Sequence, residues 1–112
     1  MDSVFCSGSA RLPQAYANTP AVLTVEIEVD PKTRSVLALF IDPELGGLKR
    51  LLDSAMVGRS IDDIPSLSAD ALKERYFSPL RNAARAALLH AWEAFQQYEG
   101  KQLEPALLKE AG

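Results

Sequence analysis

Reactive side chains are scarce. The 112 residues include one cysteine, one histidine and one tryptophan. A lone cysteine closes no internal disulfide, which fits a reducing compartment. A single histidine leaves a nitrogen and sulfur metal site short of ligands. One helical turn either side of His90 stand Ala86, Ala87, Glu93 and Ala94, of which only Glu93 carries a donor, so neither metal nor other cofactor is expected. No apolar run approaches the roughly 18 residues of a membrane span. The opening "MDSVFCSGS" has an acidic second residue and no apolar stretch of signal-peptide length. A soluble cytoplasmic protein without membrane association is expected. Basic excess is also missing: 12 lysines and arginines against 15 acidic residues give a net charge of −3, which argues against nucleic-acid binding.

What remains is ordinary globular material, 47% hydrophobic and 24% charged. The length specifies a single domain, residues 1–112. A chain of 12.2 kDa buries about two-thirds of its unfolded surface, enough for one core without covalent staples.

The first half reads as strands. Ser3 to Ala10 alternates, with Val4, Cys6, Gly8 and Ala10 on one face and Phe5, Ser7 and Ser9 on the other. "RLPQAYANTP" is a connection. In "AVLTVEIEVD", Leu23, Val25, Ile27 and Val29 point one way and Thr24, Glu26 and Glu28 the other, the pattern of a half-buried strand. "DPKT" is a type I turn with Pro31 at its favoured second position. "SVLALFI" is apolar on both faces, so Val36, Ala38 and Phe40 are expected on an outer face in need of a cover.

The second half reads as helices. Leu48, Leu51, Leu52, Ala55 and Met56 fall at helical spacing, and Gly58 suits the left-handed residue that ends such a helix. "RSIDDIPSLS" reads as a polar connector in which Ser60 and Asp63 form a capping box, and Ser68 as the N-cap of a short helix to about Tyr76. Ser78 and Pro79 start a long helix that is expected to run to about Tyr98, with Gly100 beyond its end. Leu80, Ala84, Ala87, Leu88, Ala91, Phe95 and Tyr98 fall within a sector of about 100° on it, and the alanines permit close approach. Leu89 lies on the polar side. Residues 101–112, with Leu103, Leu107 and Leu108, form a docking helix or a frayed tail. Strands followed by helices give an α+β domain: a three-stranded antiparallel sheet covered on one face by C-terminal helices.

Few residues attract a chemical reading. Cys6, followed by Ser7-Gly8-Ser9, resembles a nucleophile beside a small-residue loop. No base or cation is assigned to it, and its place on the apolar face favours a small buried hydrophobe. Asp62 and Asp63 diverge by about 100° on a helical turn and read as solvated caps. "GRS" at Gly58–Ser60 lacks the upstream glycine and the lysine of a phosphate loop, although Arg59 beside the Ser60 cap can hold an anion. The outer sheet face is the more informative feature. An uncovered apolar face implies self-association or a partner, unless the connector after the first strand or the C-terminal tail covers it.

"GSARLP", "VEIEVDPKTRSVLALF", "MVGRSIDDI" and "RYFSPLRNAARAALLHAWEAFQQY", in that order, resemble a bacterial domain-of-unknown-function family of small proteins. The matches stand at Gly8, Ala10, Leu12, Pro13, Val57, Gly58, Arg59, Ser60, Arg75, Tyr76 and Phe77. In that family the hairpin turn often has glycine where this chain has Arg34. The order of elements also resembles the IscU/NifU iron–sulfur scaffold proteins. Those hold clusters through three cysteines, so an IscU-like fold here implies no cluster chemistry.

Two functions follow as expectations. One is a binding or assembly domain without catalysis of its own, joined to itself or to a protein partner through Phe5, Val36, Phe40 or Leu89. The other is a small-molecule site for an anionic metabolite, or a weak enzyme, built from Arg59, Ser60, Arg75 and Tyr76.

Overall fold

A computed structural model describes residues 2–12 and 22–111, with side chains described as far as residue 100. The connector 13–21 and the side chains of Leu103, Leu107 and Leu108 lie outside the described residues. The architecture is α+β. Strands β1 (Val4–Arg11), β2 (Val22–Val29) and β3 (Val36–Asp42) precede helices α1 (Gly46–Met56), α2 (Ile64–Arg75) and α3 (Arg81–Ala111), with a 3-10 turn at Ile61–Asp63. β2 is the central strand and pairs antiparallel with both neighbours. No helix among the described residues is long and apolar enough to cross a membrane.

The alternation in β2 sets the layers. Leu23, Val25, Ile27 and Val29 are all fully buried beneath the helices. Each such side chain contributes about 1.5–3 kcal/mol through burial. The stripe Leu48, Leu51, Leu52 and Met56 turns α1 onto the same core, and Gly58 adopts φ +88 just past the helix end.

On β3 the expected outer position of Val36 is corrected. Glu28 pairs with Ala38 and Val29 with Val36, so Leu37 is an extra residue in the ladder. This bulge flips the alternation by one residue: Val36 is 1% exposed and Leu37 is 37% exposed. Beyond the bulge the expectation holds, with Leu39 and Ile41 inward and Phe40 outward.

The β2–β3 turn runs further than "DPKT". Arg34 N–H donates to the Asp30 carbonyl at 2.7 Å, Lys32 N–H donates to Asp30 Oδ1 at 2.9 Å, and Arg34 sits at φ +64. The Lys32 N–H is the main cause that holds the Asp30 carboxyl below its ordinary value. This left-handed conformation is the one glycine supplies without strain.

Two helix starts differ from expectation. Ser68 is not an N-cap. It is buried within α2, where Ile64, Ser68 and Leu72 form the inward stripe and its hydroxyl donates to the Pro65 carbonyl at 3.1 Å. The helix starts earlier because Pro65 occupies its first turn, where a missing N–H costs nothing. Ser60 does cap the 3-10 turn, but its hydroxyl accepts from Asp62 N–H, while Asp63 N–H goes to the Ser60 carbonyl. Ser78 Oγ accepts from Leu80 N–H at 3.1 Å at the entry to α3. That helix does not stop at Gly100 but continues to Ala111, because a glycine inside a helix costs only about 1 kcal/mol and does not by itself end it.

α3 crosses the sheet over β1. A Cβ at Gly8 would lie 2.1 Å from the Ala87 carbonyl oxygen and 2.3 Å from the Ala91 nitrogen. Backbone meets backbone there, which only the glycine and the buried small residues Ala83, Ala84, Ala87 and Ala91 permit. Gly8→Ala is expected to destabilise the fold by about 3 kcal/mol, since neither backbone can give way locally. Urea unfolding of both proteins measures it, and a near-neutral substitution would contradict the packing.

Candidate functional site

Cys6 is 7% exposed on the inner face of β1 and its thiol donates to the Ile27 carbonyl at 3.7 Å. Burial pushes the thiol up from 9.0 to about 11, against a smaller backbone hydrogen-bond effect in the opposite direction. Such a thiol is protonated at neutral pH and is a core side chain rather than a nucleophile. His90 does not reach it. The imidazole Nδ1–H donates to the Ser9 carbonyl at 2.8 Å, which ties α3 to β1 one strand residue beyond the Gly8 crossing.

The four residues considered for an anion site fall into two pairs. Arg59 and Ser60 sit before α2. Arg59 is exposed, and its carbonyl accepts from Val36 N–H at 2.8 Å. Arg75 and Tyr76 lie at the far end of α2, about 18 Å away at 1.5 Å per residue over its 12 residues. The structure therefore does not bring the four together. It places Arg75 and Tyr76 instead with Arg50, Ser54 and Gly47 of α1, around a cleft of about 540 Å³. Arg50 was not singled out from the sequence, because its partner residues lie a helix away in the chain.

Among the described residues, the densest polar cluster centres on Arg34. Its guanidinium donates twice to Asp62, from Nε to Oδ2 at 2.8 Å and from Nη2 to Oδ1 at 2.7 Å. It also pairs with Glu99 and lies over the Phe95 ring, 5.4 Å from its centroid. The hydrogen bonds from Arg34 hold the Asp62 carboxyl below its ordinary 3.8. The hairpin turn, the 3-10 turn and α3 meet at this one side chain. The one cation is shared by two carboxylates from different segments, so the cluster is a structural junction. The sequence signal that points to it is a long cationic side chain at a turn position that favours glycine.

The outer sheet face carries Phe5, 60% exposed, and Phe40, 45% exposed, with ring centroids 6.3 Å apart. Glu26, Glu28, Thr24, Ser7 and Ser9 share that face through the strand register. No described element packs over it. Leu89 is half-buried on α3, in the opposite layer, and joins no patch with these residues. Comparison with family models, with curated proteins and with solved structures gives no match to this chain.

Cys6→Ala should cost on the order of 1 kcal/mol, and thiol reagents should react with folded Cys6 far more slowly than with the urea-unfolded chain. Because the folded thiol titrates above its unfolded value, its stabilising effect is complete below pH 9.0 and is lost as pH rises towards about 11, which unfolding measured across that window reads out. For the junction, Arg34→Gly should be less destabilising than Arg34→Ala by about 1 kcal/mol, since glycine relieves the left-handed backbone. Asp62→Asn should differ from wild type above pH 3.8 and converge with it as acid protonates Asp62, a depressed carboxyl whose stabilisation vanishes on the acid side.

Proposed function

We propose that the chain is a small cytoplasmic binding or assembly domain without catalysis of its own, and that it engages a protein partner through the outer face of the sheet. The observation that supports this is the exposed pair Phe5 and Phe40, held 6.3 Å apart on a face free of described cover. Apolar side chains on a rigid sheet present a fixed contact surface at little entropic cost. The surrounding carboxylates Glu26, Glu28 and Asp42 select the partner's chemistry, which is apolar side chains flanked by lysine or arginine. Stacking this face on that of a second copy sets like charges against each other, so a surface of opposite charge fits better than the same face in a twofold homo-oligomer. The likeness to a domain-of-unknown-function family and to iron–sulfur scaffolds belongs with this proposal as a reading of fold, and it carries no cluster chemistry.

A second reading rests on the Arg50, Arg75 and Tyr76 cleft, which offers two cations and a phenol to a small anion. Thermal shift against phosphate and di- and tricarboxylates tests it: a rise in Tm that Arg75→Ala abolishes supports the reading, and no rise with any anion removes it.

The partner reading is tested by affinity capture from lysate with wild type and the Phe5→Ser, Phe40→Ser double variant, together with light scattering. A protein recovered by wild type and lost with the double variant is expected. Equal recovery by both, or a monomer that recovers nothing, overturns it.

A further inference from the structure

Among the described large apolar residues, the one most open to solvent is Phe77, 83% exposed in the link between α2 and α3. It stands at a basic end of the molecule. Lys73 and Arg75 precede it on the last turn of α2, and Arg81 and Arg85 follow it on the first turns of α3. Lys73, Arg81 and Arg85 line a shallow groove of about 390 Å³ shared by the two helices, and Arg75 lines the cleft that also holds Arg50. Neither lining contains a carboxylate. Residues 71–92 carry these four cations and one acid, Glu74, in a chain of net charge −3.

The fold accounts for only part of this. Cations on the C-terminal turn of α2 complement the helix dipole, so Lys73 and Arg75 stabilise their own helix. Arg81 and Arg85 stand at the other kind of end, where the dipole disfavours a cation and the first turn has no acid to offset it. Arg81 donates to the Lys73 carbonyl at 3.3 Å, and none of the four cations makes an ion pair among the described residues. The outer sheet face carries the reverse set. Phe5 and Phe40 stand among Glu26, Glu28 and Asp42, and the one cation within the three strands is Arg11, paired with Val22 at the far end of the ladder. That face selects apolar side chains flanked by lysine or arginine, which is what surrounds Phe77.

We propose that the outer sheet face of one copy receives the Phe77 end of a second copy, in a head-to-tail contact between unlike surfaces. The Phe77 ring joins Phe5 and Phe40, and the cations around it meet Glu26, Glu28 and Asp42. The repulsion between two stacked outer faces does not arise, because a carboxylate-rich face meets a basic one. The two surfaces belong to different layers of the molecule, sheet and helices, so a copy cannot satisfy itself and each bound copy still offers a free outer face. Such a contact closes into a ring or continues as an open chain. This inference rests on the reading of the outer face as a docking surface, and it names what docks there.

Sedimentation velocity on the whole chain tests it, with wild type, Phe77→Ser and the Phe5→Ser, Phe40→Ser double variant. All three substituted positions are exposed, and circular dichroism verifies that the variants are folded. Wild-type mass is expected to rise with concentration, while each variant alone stays monomeric. An equimolar mixture of the two variants is expected to form a dimer and nothing larger, since one retains the outer face and the other the Phe77 end. Arg81→Glu combined with Arg85→Glu should weaken wild-type association about tenfold. A wild type that is monomeric at millimolar concentration, a mixture that fails to pair, or a dimer that persists in Phe77→Ser overturns the inference. So do amide NMR shifts at Phe77 that oligothymidylate causes and a second copy does not. A protein captured from lysate through Phe5 and Phe40, by a chain that is itself monomeric, would sink the head-to-tail contact and leave the docking face standing.

Discussion

The contact on which the other packing depends is the crossing of α3 over β1 at Gly8. Helices ordinarily stand off a sheet by the thickness of two side-chain layers. Here a Cβ on the strand would fall within 2.1 Å of a helix carbonyl, so the two backbones touch. That closeness sets the height of α3 above the sheet, and with it the room available to Leu88 and Phe95 in the core. The bond from His90 to the Ser9 carbonyl fixes the helix along the strand at the same point. Once α3 is placed, α2 is held against it, and α1 fills what is left beside β3.

Arg34 fixes the opposite end of the assembly. A cation at a left-handed position costs backbone energy of about 1–2 kcal/mol. The side chain offsets part of this through two hydrogen bonds to Asp62, a pairing with Glu99 and contact with Phe95. The three charged side chains are about a third or more exposed, so each ionic bond counts for less than its geometry implies. Its value lies in joining three segments distant in sequence, where the loss of one group loosens all three.

Much of this was legible in the residues. The order of strands and helices, the buried face of β2, the stripe of α1, the end of that helix at Gly58 and the inert position of Cys6 all follow from local pattern, because each is decided by alternation or by a single turn residue. Val36 was misplaced since a bulge is a property of two paired strands, and no single-strand pattern contains it. Ser68 looked like a cap because serine favours caps. Its burial in α2 depends on a hydroxyl that satisfies itself on the Pro65 carbonyl. The candidate site was less legible. Arg75 and Tyr76 do share a cleft, but Arg59 and Ser60 do not join it. Arg50 joins that cleft only when α1 is laid beside the end of α2.

The covering of the sheet by α3 also has a consequence in time. The N-terminal strand carries Gly8, yet the residues that close over it, Ala87 and Ala91, come some eighty positions later in the chain. During synthesis at about 5–20 residues per second, the three strands leave the ribosome several seconds before the helix that shields their apolar face. Over that interval the face of Leu23, Val25, Ile27 and Val29 has no native cover from α3. The nascent sheet therefore depends on α1 and α2, or on a chaperone, to remain soluble until the last helix arrives.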